Sequence, residues 1–231
     1  MEELFYLRTA GLLALAGALL YAIGDVLLLA GKASLDNYPK LQPFAKLLSG
    51  SETMAALPPS RLIWGALLGV FSTPLIMAGY WQLYQGLNGV NISWIFITLV
   101  LFASASIIGA FIHGTFYYLG EYVHALNDVG DDSQGIVASM IQRHRKVLIV
   151  AYAPVLIFII LASILYSFLV ISGKTLFPVW MAAINPVTMT ILWLLLKQIL
   201  PQFVRDHTEG AGFNIAYLVF FACTTATLWN V

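Results

Sequence analysis

Residues 9–31 read T-A-G-L-L-A-L-A-G-A-L-L-Y-A-I-G-D-V-L-L-L-A-G. A helix needs about 20 consecutive apolar residues to cross the hydrocarbon of a bilayer. This run meets that length and carries a single ionisable side chain, Asp25. Five further runs share its character, at about 62–85, 92–119, 147–172, 178–200 and 212–230. Six such runs leave no room for a separate soluble domain. The expected fold is therefore all-α: residues 1–231 form a single domain, a polytopic integral membrane bundle of six transmembrane helices.

Composition agrees with that class. Hydrophobic residues make up 60% of the chain and charged residues 10%, with a mean hydropathy of +0.86. A soluble domain carries roughly 25% charged residues. The net charge of zero gives no basis for nucleic-acid binding. Met1-Glu2-Glu3 lacks the basic segment of a secretory signal and the run that follows is too long for one, so residues 9–31 count as the first transmembrane helix. Cys223 is the single cysteine, which excludes an intramolecular disulfide and a thiolate-clustered metal site.

Basic residues are retained on the cytoplasmic side of a membrane. With six crossings, both termini and the connections near 86–91 and 173–177 share one side, which holds Arg8 and Lys174. The other side holds Lys32, Lys40, Lys46, Arg61, Arg143, Arg145, Lys146, Lys197 and Arg205. This asymmetry places both termini outside the cytoplasm and the three longer connections inside it, in a multi-pass protein of the cell membrane.

Pro39, Pro43, Pro58 and Pro59 prevent a long helix in the connection after the first span. The stretch from Asn127 to Gln134, with Asp128, Asp131 and Asp132, is expected as a solvated loop. Pro74, Pro154 and Pro186 fall inside spans and are expected to kink them. Trp64, Trp81, Tyr84, Trp94, Trp180 and Trp229 lie near span ends, as an interfacial aromatic belt requires. The two three-helix halves show no repeat, so an inverted-repeat transporter gains no support.

Two stripes of residues stand out. At about 100° per residue, Ala14, Ala18, Tyr21, Ala22 and Asp25 share one face of the first helix. Phe102, Ser106, Gly109, Ala110, His113, Tyr117, Gly120 and His124 align on the third. Small residues in such stripes let helices approach closely within lipid. Asp25 and His113 each lie six residues before the cytoplasmic end of their span, roughly 9 Å inside the boundary. Ionisable groups at such depth are costly and usually face a bundle interior or a cavity, which makes the pair the candidate catalytic site. Tyr21, Tyr117, Glu121, His124 and Tyr152 are the candidate ligand-binding residues around it.

The pattern admits several readings. Asp25 can orient or charge His113 for acid–base work on an amphipathic small molecule or membrane lipid held in a polar, aromatic-walled pocket open to the cytoplasm. The pair can instead relay protons in a proton-coupled solute transporter. It can also only tie helices together. Glu121-Tyr122-Val123-His124 is an E-x-x-H element, but a di-iron bundle needs two of these and two further glutamates, so no metal and no cofactor is assigned. The chain has no H-E-x-x-H, no G-x-S-x-G and no glycine-rich phosphate loop.

Gly24-Asp25-Val26-Leu27-Leu28 resembles the Gly-Asp element of the bacterial and animal lysoplasmalogenase-like membrane family. That resemblance implies an eight-helix enzyme acting on the vinyl-ether bond of lysoplasmalogens, with a second Gly-Asp element. Here the second Gly-Asp, Gly130-Asp131, falls outside the spans. The whole pattern, with Pro58-Pro59-Ser60-Arg61 leading into a glycine-rich second helix, looks more like a bacterial multi-pass family of unknown function, which implies no functional residues.

Overall fold

The computed structural model describes residues 2–31 and 34–231, so Met1 and Lys32, both used in the sequence reading, lie outside the described residues. Every regular element is helical, and there is no β-strand among the described residues. The α-helices are α1 (Glu2–Leu29), α2 (Ala45–Leu48), α3 (Pro59–Gly86), α4 (Ile92–Asp128), α5 (Asp131–Ile171), α6 (Pro186–Ile199), α7 (Gln202–His207) and α8 (Gly212–Thr227). Four of them, α1, α3, α4 and α5, are long and apolar enough to cross a membrane, which makes the chain a multi-pass membrane protein in type. The apolar helices α6 and α8 are shorter, at 14 and 16 residues.

The run expected as one helix over 178–200 is divided. A 3₁₀ turn over Val179–Ala183 is followed by extended Ile184 and Asn185, and only then does α6 begin. Pro186 is the cause: it disfavours helical geometry in the residue before it and fits the first position of a new helix. It starts a helix here instead of kinking one. Asn185 closes the N-terminus by accepting from Val187 N at 3.0 Å and Thr188 N at 3.1 Å, while its own N–H donates to Thr188 Oγ1 at 3.2 Å. Its Nδ2 also reaches Ser167 Oγ of α5 at 3.2 Å, so the buried break leaves few polar groups unpaired. Pro74 and Pro154, by contrast, sit inside continuous helices.

The expected solvated stretch from Asn127 to Gln134 is mostly helical. Only Val129 and Gly130 separate α4 from α5, and both helices run on past their apolar spans as a hairpin. Val123, Leu126 and Ile141 are fully buried along it, a helix-period pattern that holds the two arms together. Asp131 and Asp132 occupy the first turn of α5, where carboxylates offset the helix dipole. The connection after α1 folds as short 3₁₀ turns and α2 against this hairpin, burying Leu41, Leu48 and Met54. Lys40 Nζ donates to Val129 O at 3.2 Å at its tip.

Packing is closest between α1 and α3, then between α4 and α5, α3 and α4, and α1 and α8. Glycines set the first of these contacts: a Cβ on Gly24 would stand 2.8 Å from Gly65 O. The stripe read on the first helix is buried throughout, Ala14, Ala18, Tyr21, Ala22 and Asp25 included. The outer faces of the long helices carry exposed Phe71, Phe96, Ile107, Ile149 and Phe168, as lipid-facing surfaces do. At one end of the bundle, Arg8 Nε donates to Trp229 O at 2.7 Å and its guanidinium lies over the Trp229 ring, so the two ends of the chain are neighbours.

At the opposite end Arg61 of α3 caps α1. It donates to the carbonyls of Leu27 at 2.7 Å, Val26 at 2.9 Å and Ala30 at 2.6 Å, satisfying acceptors that a helix C-terminus leaves open. Hydrogen bonds from a charged group each contribute about 1.5–3 kcal/mol. Arg61→Met should therefore lower the melting temperature of the detergent-solubilised protein by several degrees, and Arg61→Lys by less. An unchanged melting curve for Arg61→Met would remove this cap from the account.

Candidate functional site

Asp25 on the last turns of α1 and His113 in the middle of α4 meet within the bundle. His113 Nε2 is 3.0 Å from Asp25 Oδ1, and both residues are buried, at 5% and 8% exposure. Asn214 of α8 donates from Nδ2 to Asp25 Oδ2 at 2.6 Å. On the far side of the imidazole, Nδ1 is 3.3 Å from the backbone carbonyl oxygen of Ala66 in α3. Four helices thus converge on one carboxylate–imidazole pair.

The partners fix its proton content. A carbonyl oxygen only accepts, so Nδ1 carries a hydrogen and donates it to Ala66 O. Two arrangements then remain for the other nitrogen: a charged imidazolium donating to a carboxylate, or a neutral imidazole accepting from a protonated Asp25. Both hold the same number of protons and both leave the pair with no net charge. That is the state that low-polarity surroundings favour, because an unpaired buried charge costs several kcal/mol. The proton between Nε2 and Oδ1 is the movable one.

Packing determines where the ring sits. A Cβ on Gly69 would overlap the His113 ring, and one on Gly24 would stand 3.0 Å from its Cε1. Tyr21 closes a third side, its ring edge-on to the imidazole with centroids 5.0 Å apart and an interplanar angle of 86°. The Tyr21 hydroxyl is 3.4 Å from Thr73 Oγ1, which in turn donates to Gly69 O at 3.2 Å.

A cavity of about 300 Å³ adjoins the pair. Its wall includes Asp25, His113, Tyr21, Tyr152, Asn214 and Tyr217, with apolar side chains from α4 and α5 between them. Leu29 and Gly210 stand at one end; Gly210 has φ +80°, and a Cβ there would overlap Leu29. Tyr152 and Leu156 of α5 also line the cavity yet are 41% and 52% exposed on the flank of the bundle. Exposed residues thus line the cavity both beside α5 and at Gly210, the latter at the end of the helices where the sequence led to an opening.

The structure brings together Asp25, His113, Tyr21 and Tyr152 among the residues singled out in the sequence. It does not bring Tyr117, Glu121 or His124 to the cavity. Tyr117 packs edge-on to Tyr118, with ring centroids 5.2 Å apart. His124 Nε2 meets Met54 O at 2.8 Å and holds the connection after α1 against the hairpin. Glu121 has one buried carboxylate oxygen without a hydrogen bond. No cluster of three or more metal-ligating side chains forms among the described residues. Asn214, Gly69 and the Ala66 carbonyl went unread. Asn214 offered the same signal as Asp25, a strongly polar side chain near the start of an apolar run, whereas Gly69 and a backbone oxygen offered none.

A family model described as a family of unknown function (DUF6796) matches residues 1–230. No curated protein matches the chain, and no solved structure matches it.

Glycine positions give a direct check on how His113 is held. Gly69→Ala should push the imidazole off Ala66 O and lower thermal stability, because overpacking a tight core contact costs about 1–3 kcal/mol. Gly135→Ala, in α5 with open space around its Cβ, should raise stability slightly, by about 0.5–1 kcal/mol. Melting curves of the two variants should shift in opposite directions; parallel shifts would mean that the His113 seat is not tight.

Proposed function

For this chain, which belongs to that family of unknown function, we propose a role in binding the polar end of a membrane amphipath in the α1–α4–α5–α8 cavity, with Asp25 and His113 as its acid–base pair. The observation that carries the reading is a buried carboxylate–imidazole pair with a movable proton that forms part of a cavity wall. The cavity volume of about 300 Å³ lies at the low end for small-molecule sites, which suits a head group and the first carbons of a chain better than a whole two-chain lipid. Exposed Tyr152 and Leu156 at its edge support entry from the bilayer.

In this reading His113 donates or withdraws the proton shared with Asp25, and the carboxylate fixes the ring's tautomer and offsets its charge. Asn214 keeps Asp25 oriented while the proton moves. Tyr21 holds the ring plane. The chain crosses the cell membrane six times, with α6 and α8 as the two shorter crossings and both termini outside. Adjacent chain ends require an even number of crossings, and the excess of basic residues at the α1–α3 connection and the α4–α5 hairpin supports this orientation. A reporter fused after Val231 should be active only if it is outside the cytoplasm.

Native mass spectrometry of the gently extracted protein tests the binding role. Wild type should retain a co-purifying amphipath of defined mass, and Asp25→Asn and His113→Gln should lose it while remaining folded and monodisperse. Retention of the same species by both variants, with only their melting temperatures lowered, would reduce the pair to a structural tie.

A further inference from the structure

Resting on the cavity reading above, we infer that the head group taken by this site is an ammonium that carries N–H donors: a single-chain amphipath ending in a protonated primary amine. Two features of the wall point to it. The first is the Asp25 carboxylate. Its two oxygens offer about four acceptor positions, of which His113 Nε2 and Asn214 Nδ2 occupy one each. The second is the ring content of the wall, where Tyr21, Phe116, Tyr152, Phe213 and Tyr217 line the space beside that carboxylate. Aromatic faces attract cations through their quadrupole, and the attraction strengthens where water is excluded. A carboxylate with open acceptor positions among several rings suits an ammonium.

The test compares three probes of equal chain length on the full-length protein in nanodiscs: dodecylammonium, dodecyl phosphate and 1-O-dodecylglycerol. Calorimetry reads affinity and stoichiometry together. The expected result is saturable binding of the ammonium at least about tenfold tighter than either other probe. Tyr152→Leu, at an exposed position that does not endanger folding, should weaken the ammonium by about three- to tenfold. Gly109→Phe, which fills cavity space where a Cβ meets only the Tyr21 hydroxyl at 3.7 Å, should abolish saturable binding. If dodecylglycerol or dodecyl phosphate binds as tightly as the ammonium and Gly109→Phe blocks it, the ammonium assignment fails while the cavity reading stands. If none of the three binds saturably, or Gly109→Phe leaves binding unchanged, both fail.

Discussion

The close approach of α1 to α3 is the constraint on which the site depends. Gly24 and Gly65 bring the two backbones together, and Gly69, one turn further along α3, leaves the space that the His113 ring fills. With a side chain at Gly69 the imidazole could not reach Ala66 O, and the proton count of the pair would no longer be fixed. The same contact lets Arg61 reach three carbonyls at the end of α1, so the segment that carries Asp25 is held from the side and from its terminus. In lipid, helix association draws on such packing because there is no hydrophobic force between apolar helices.

A pair assembled from α1 and α4 gains rigidity from the other helices around it. Ala66 O and Asn214 hold the outer atoms of His113 and Asp25, so each polar atom of the pair faces a partner. Buried polar networks are stabilising only when their members are satisfied in this way. Neutrality lets the pair persist in an apolar bundle.

The membrane class, the helical fold and the meeting of Asp25 with His113 were legible because each rests on a cost: apolar runs must be buried in lipid, and ionisable groups within them must find partners. Their common depth followed from helix rise alone. The division at Asn185-Pro186 was less legible, because a hydropathy pattern is insensitive to a single extended residue pair. The hairpin over 120–146 was missed for the opposite reason. Its charge suggested solvent, yet Val123, Leu126 and Ile141 keep the helical period through it. Glu121 and His124 share their helix with His113, but one turn or more carries them past the cavity to the connection that contains Met54. Position along one helix does not determine which neighbours stand opposite, and that information lies in the packing of α1, α5 and α8.

The filling of the bundle beyond the cavity bears on whether the site binds from one side or passes a solute through. Toward the end where Arg8 meets Trp229, Tyr80, Phe102, Phe220 and Phe221 follow directly after the lining residues of their helices, and all four are buried. Tyr80 stacks on Phe102 with centroids 5.7 Å apart, and Phe220 and Phe221 close against them at 6.2 and 6.1 Å. Past this layer, Gln82 accepts from Thr224 and Thr225 at 3.3 Å, which ties α3 to α8. A carrier would have to separate packed rings and break these bonds in every cycle. A binding or catalytic site needs only the flank beside Tyr152 to open. Dense aromatic packing thus closes the bundle on the side of the pair toward Arg8 and Trp229, and the exposed residues of the cavity wall lie away from it.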